Sequence, residues 1–141
     1  MAAKKADAYR KTQILTAPPE KLQLMLYDGA VRFATQGREA LQRRDYETSY
    51  GSLVRAQNIV LELICGLRPE ANPALCNKMA SLYSFVYRKL LDANVRHDVA
   101  AVDDALSILE ILRDTWARLL EKLAEERSHG EEAEVSANAR A

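Results

Sequence analysis

The sequence predicts an all-α chain folded as an antiparallel up-down-up-down four-helix bundle with a short N-terminal arm, and three observations predict it. Glycine and proline are scarce, at 5 and 4 of 141 residues, which leaves little material for turns between strands. Apolar residues recur at three- and four-residue spacing through long stretches of the chain. Short segments with helix-capping residues separate those stretches, and short connections make sequential helices antiparallel. The length suits one domain, and a 48% hydrophobic content is enough for a core.

Residues 1–15 read as an arm that contains Tyr9 and ends in the apolar pair Ile14-Leu15. Residues 16–126 read as the bundle. Pro18-Pro19 breaks the chain, because the proline at 19 pushes Pro18 toward extended geometry and is itself preorganised as a first helical residue. Glu20 follows at the positive end of the helix dipole, and this first helix is expected to run to about Arg44. Asp45 caps the second, which has Glu47 in its first turn and ends near Cys65, with Gly66 suited to the position just beyond. Asn72-Pro73 starts the third, which is expected to reach Arg96. His97-Asp98 forms a tight corner, and the fourth helix is expected over Val99 to about Glu125. Residues 127–141 have almost no apolar payload and are expected to be a disordered tail.

Each helix has an apolar stripe. Leu22, Met25, Leu26, Gly29, Ala30 and Phe33 form it on the first; Tyr46, Tyr50, Leu53, Val60, Ile64 and Leu67 on the second. Leu75, Met79, Leu82, Val86, Leu90 and Ala93 form it on the third. On the fourth it is Val102, Ala105, Leu106, Leu109, Leu112, Trp116, Leu120 and Leu123. The first helix also carries Leu24, Tyr27 and Val31 on its opposite side, while Tyr87, Leu91, Val95, Ile59 and Ile111 stand off the stripes of the others. Leaving such residues exposed forgoes about 1.5–3 kcal/mol of burial apiece, and a contiguous patch of that kind marks a binding site. Three readings stay open: a first helix central enough to bury both sides, a homodimer interface, and a groove for a different protein.

The chain lacks the motifs of several other classes. Its 20 basic and 20 acidic residues cancel, so no overall field draws it to nucleic acid or an anionic membrane. No stretch is apolar enough for membrane insertion, and Lys4 and Lys5 precede no signal-peptide core, so a cytoplasmic protein is the plain expectation. Glu126 and His129 give one Glu-x-x-His spacing without the partner pair that a di-iron bundle needs, so neither a metal site nor any other cofactor is expected. There is no phosphate loop and no nucleophile motif, so no catalytic residue is assigned. Cys65 and Cys76 flank a loop, either as two buried thiols or as a strained disulfide.

The stretches "AYRKTQILTAPPEKLQLMLYDGAVRF", "LYSFVYRKLLDAN" and "ALSILEILRDTWARLL" closely resemble the FliS family of flagellar export chaperones, over about Ala8 to Leu123. One departure is Pro18, where the family carries a small polar capping residue. The resemblance implies a monomer that holds the C-terminal region of flagellin 1:1 in apolar surface grooves, with the export gate as a further partner. It also implies that the arm occupies part of the client surface and moves aside. By matching position it assigns Tyr9, Ile14, Leu15, Met25, Leu26 and Tyr27 to partner contact, with core packing open for Met25 and Leu26. Leu24 and Val31 join them from the surplus side of the first helix. The competing class is a homodimeric structural bundle without a secreted client.

Overall fold

A computed structural model describes residues 18–140. The arm, with Tyr9, Ile14 and Leu15, lies outside the described residues. The helices are α1 (Pro19–Gln42), α2 (Tyr46–Cys65), α3 (Pro73–Arg96) and α4 (Val99–Arg140). They pack in a ring, α1 against α2, α2 against α3, α3 against α4 and α4 against α1. This is the expected up-down-up-down bundle.

The boundaries follow from local chemistry. Pro18 is extended (φ −57°, ψ 153°) and offers no side-chain cap, and Pro19 opens α1. Asp45 accepts the Thr48 backbone N–H at 3.2 Å to start α2, and Asn72 accepts that of Leu75 at 3.1 Å to start α3. Asp98 likewise accepts from Ala101 at 3.3 Å at the start of α4. Gly66 ends α2 with φ −82°, so its freedom at positive φ is unused. The left-handed corners instead fall to Arg44 (φ 58°) and His97 (φ 52°), which turn the chain at one end of the bundle. There Tyr46 stacks on the His97 ring, with centroids 3.8 Å apart and planes 7° from parallel.

Helix α4 corrects the expected tail. Instead of ending near Glu125 it stays helical to Arg140. Alanine, glutamate and arginine are strong helix formers and outweigh the single Gly130. Every residue from Ala124 to Arg140 is exposed, so this part is held by propensity and not by packing.

Helix α1 holds a second correction. Tyr27 and Val31, expected on a spare side, are buried, whereas Leu22 and Met25 of the supposed core stripe are only partly covered. At about 100° per residue, the buried positions run from Gly29 through Ala40, Gly37, Ala30, Leu41, Ala34 and Tyr27 to Val31, roughly 200° of the circumference. The two apolar sides are flanks of one wide buried sector, because α1 is wedged between α2 and α4. Small residues allow the approach: a Cβ on Gly37 would stand 2.6 Å from the Leu53 side chain, and one on Gly29 would stand 3.1 Å from Ile59 Cδ1.

A polar layer crosses the interior from α1 to α3. The Tyr27 and Tyr83 hydroxyls share a 2.6 Å hydrogen bond, and the Gln23 amide donates to both, at 3.0 and 3.3 Å. Burial first, then the bond with Tyr27, pushes the Tyr83 phenol far above its ordinary value, so it stays protonated. No buried side-chain polar atom among the described residues lacks a partner. Tyr83 is 1% exposed and was not in the expected core stripe of the third helix. Conversely Tyr46, Tyr50 and Leu75, which were in the expected stripes, are exposed.

The glycines give a paired prediction, read from urea unfolding. Gly51 has open space around its Cβ position, so Gly51→Ala should stabilise the bundle by about 0.5–1 kcal/mol. Gly37→Ala should destabilise it, because about 1–3 kcal/mol of overpacking against the fully buried Leu53 exceeds the propensity gain. Tyr83→Phe should cost about 1 kcal/mol by removing a buried hydrogen bond.

Candidate functional site

Three of the four seams of the ring carry charged groups on their outer side. On the α1/α2 seam the guanidinium carbons of Arg32 and Arg55 lie 5.0 and 5.5 Å from the Phe33 ring centroid. The α1/α4 seam is bridged by Arg38 and Asp103. The α3/α4 seam is bridged by Lys89 and Asp104 at 3.2 Å, and Lys89 also stands 5.5 Å over Phe85.

The α2/α3 seam has no such bridge among the described residues. Ile59 faces α1, so Tyr50 and Leu61, about 180° and 160° round α2 from it, face outward on the α3 side. Lys89 faces α4, so Leu91 and Val95, about 160° and 120° round α3, lie on the flank away from α4. The Tyr46–His97 stack sets the register and brings Tyr50 level with the turn carrying Leu91 and Val95. Tyr50 is 64% exposed, Leu61 43%, Leu91 44% and Val95 72%, with Tyr87 half-buried beneath them. Exposed apolar side chains therefore flank this seam on both helices.

A second apolar feature sits where α1 begins. Pro18, Leu24, Leu120, Leu123 and Ala124 line a cleft of about 280 Å³ between α1 and α4, with Glu20, Lys21 and Arg127 on its rim. The Trp116 indole N–H donates to the Glu20 carbonyl at 2.8 Å, which pins the start of α1 to α4. Backbone hydrogen bonding, then the Arg127 guanidinium at 3.4 Å, holds the Glu20 carboxyl below its ordinary value.

The structure separates the site residues expected from sequence. Leu24 lines the cleft. Met25 is partly covered, and Leu26 is partly covered and packs on the core. Tyr27 and Val31 are 2% and 8% exposed, so as the monomer stands they offer a partner no surface. Leu61 and Tyr50 were missed as surface; Tyr50 is exposed because it points about 180° away from Ile59, whereas its neighbour Ser49 is 1% exposed. The cysteines are free, with Cys65 exposed and Cys76 half-buried, so the expected burial fails for Cys65. No group of three or more metal-ligating side chains occurs among the described residues, and none of their helices is long and apolar enough to cross a membrane. The arrangement is suited to holding an apolar chain.

Known proteins resemble this chain. The family described as "Flagellar protein FliS" matches residues 1–123. The flagellar secretion chaperone FliS of Bacillus subtilis (strain 168) is 32% identical over 123 residues, covering 87% of this chain and 90% of the relative. That of Escherichia coli (strain K12) is 30% identical over 124 residues, covering 84% and 91%. A crystal structure of a bacterial flagellar chaperone superposes with a TM-score of 0.69 at 21% identity, over 84% of this chain and 98% of the other, and so shares the fold. With a family match over most of its length, the chain belongs to the FliS family of flagellar secretion chaperones.

Proposed function

We propose that this chaperone binds the C-terminal region of flagellin in the cytoplasm, one to one, and keeps it from polymerising until the export gate receives it. The observation that carries the reading is the α2/α3 seam, whose exposed apolar side chains Tyr50, Leu61, Leu91 and Val95 lack the charge bridges found on the other three seams. The cleft beside Leu24 supplies a second foothold at the other end of the bundle. A client that is disordered when free loses conformational entropy on binding, which offsets much of the contact energy. Many modest apolar contacts along the seam then hold the client firmly and release it without nucleotide hydrolysis. In the free protein the arm, through Tyr9, Ile14 and Leu15, covers part of this surface and moves aside.

Calorimetry with the cognate flagellin tests the reading. The complex should be 1:1 by light scattering and should be lost when the C-terminal region of flagellin is deleted. Leu91→Asp and Val95→Asp, both at exposed positions, should each weaken binding by about tenfold, about 1.4 kcal/mol, with helicity unchanged. Binding that survives the flagellin deletion would overturn the proposal, as would a stable homodimer without affinity for flagellin.

A further inference from the structure

Charge in this neutral chain is segregated to its two ends. Residues 18–124 carry fourteen basic and fourteen acidic side chains, which cancel. Residues 1–17 hold Lys4, Lys5, Arg10 and Lys11 against Asp7, a net charge of +3. Residues 125–140 hold Glu125, Glu126, Glu131, Glu132 and Glu134 against Arg127 and Arg140, a net charge of −3.

The fold brings those ends together. The Trp116–Glu20 hydrogen bond and the Arg127–Glu20 ion pair place the start of α1 beside α4 where α4 leaves the bundle. Pro18, where the described chain begins, lines the same apolar cleft as Leu123 and Ala124. Beyond Arg127, α4 projects by roughly 20 Å at 1.5 Å per residue. Its surface there includes a shallow hollow around Val135, which is 68% exposed, flanked by Glu131 and Glu132. This projection lies outside the span matched by the family, which ends at residue 123.

We propose that residues 1–17 dock along the projecting part of α4, with Ile14 and Leu15 in the cleft and the four cations against the outer glutamates. Leu15 is three residues from the cleft wall at Pro18, and seventeen residues extend to about 56 Å, more than the projection requires. The short tether gives the contact an effective concentration in the millimolar range, which a second copy in dilute solution does not reach. The rest of the chain is neutral, so a second copy gains no net attraction from it. The acidic extension of α4 is thus the seat of the basic arm, and ionic strength sets how firmly it is held. This deepens the reading in which the arm covers client surface, but it is tested without any client.

The test is zero-length carbodiimide coupling of the full chain at low protein concentration, followed by peptide mapping. Lys4, Lys5 or Lys11 should be joined to Glu131, Glu132, Glu125 or Glu126 within the monomer. The yield should fall at least about fivefold between roughly 0.01 M and 1 M salt, as the Debye length shrinks from about 30 to about 3 Å. Glu131→Lys with Glu132→Lys should shift the remaining links to Glu125 and Glu126 and lower the total. Adding Lys4→Glu and Lys5→Glu should restore links between positions 4 or 5 and 131 or 132. Links confined to dimers, links from these lysines mainly to bundle carboxylates, or a yield independent of salt would overturn the proposal. Because flagellin is absent, that failure would leave the client reading standing.

Discussion

The close seating of α1 between α2 and α4 is the constraint on which the rest depends. Gly29, Ala30, Ala34, Gly37 and Ala40 give α1 a face with almost no side-chain thickness, and α2 presses Ile59 and Leu53 into it. A helix wedged this way buries a sector far wider than the stripe of an ordinary surface helix. Glycine in a helix interior costs about 1 kcal/mol per residue, and the packing of a fully buried leucine against Gly37 offsets it. Because α1 uses both its apolar sides inside the bundle, the apolar surplus of the molecule falls to other helices. Part of it emerges on α2 and α3, at Tyr50, Leu61, Leu91 and Val95, and part on α4, at Ile111 and Leu119.

Register sets where that surplus falls. The Gln23–Tyr27–Tyr83 layer joins α1 to α3 across the diagonal, where no other helix pairing would align them. Each bond contributes only about 1 kcal/mol net, but a slip of one turn would part Tyr83 from both Tyr27 and Gln23 and leave its phenol buried without a partner, at about 1–3 kcal/mol. The penalty therefore selects one alignment. At the corner end the Tyr46–His97 stack does the same for α2 and α3. With both fixed, Tyr50 on α2 comes level with Leu91 and Val95 on α3, and Leu61 stands about 16 Å further along α2.

Much of this was legible in the residues. Proline at 19 and 73, and the caps Asp45, Asn72 and Asp98, mark helix starts because each satisfies a backbone rule that does not depend on tertiary contacts. The stripe of α4 follows a single period and is buried through Leu109 as expected. On α1 Gly29 and Ala30 are buried as expected, but the buried sector is wider than the expected stripe, because Ala34 and Leu41 carry it round to Tyr27 and Val31. Tyr83 was missed because its hydroxyl argues for surface until Tyr27 and Gln23 are placed beside it. The α4 extension was misread because weak apolar content signals absence of packing, and a helix of strong formers can continue without packing. Leu24, expected on a spare side of the first helix, lines a cleft against Leu120 and Leu123.

The uneven dressing of the four seams explains how a small bundle can offer greasy surface and remain folded. Where arginine or lysine lies over Phe33 and Phe85, or spans two helices to an aspartate, the outer groove is shielded, and a chain seeking entry would have to displace a charged group. Such surface pairs add little to stability, about 0–1 kcal/mol each, so their value here is exclusion and not strength. The α2/α3 seam lacks them, and its interior is already closed by Leu53, Val60, Val86 and Leu90. Occupation of the seam therefore need not open the core. The bundle can be complete before a client arrives and unchanged after it leaves, which is the property a reusable holder of an unfolded chain requires.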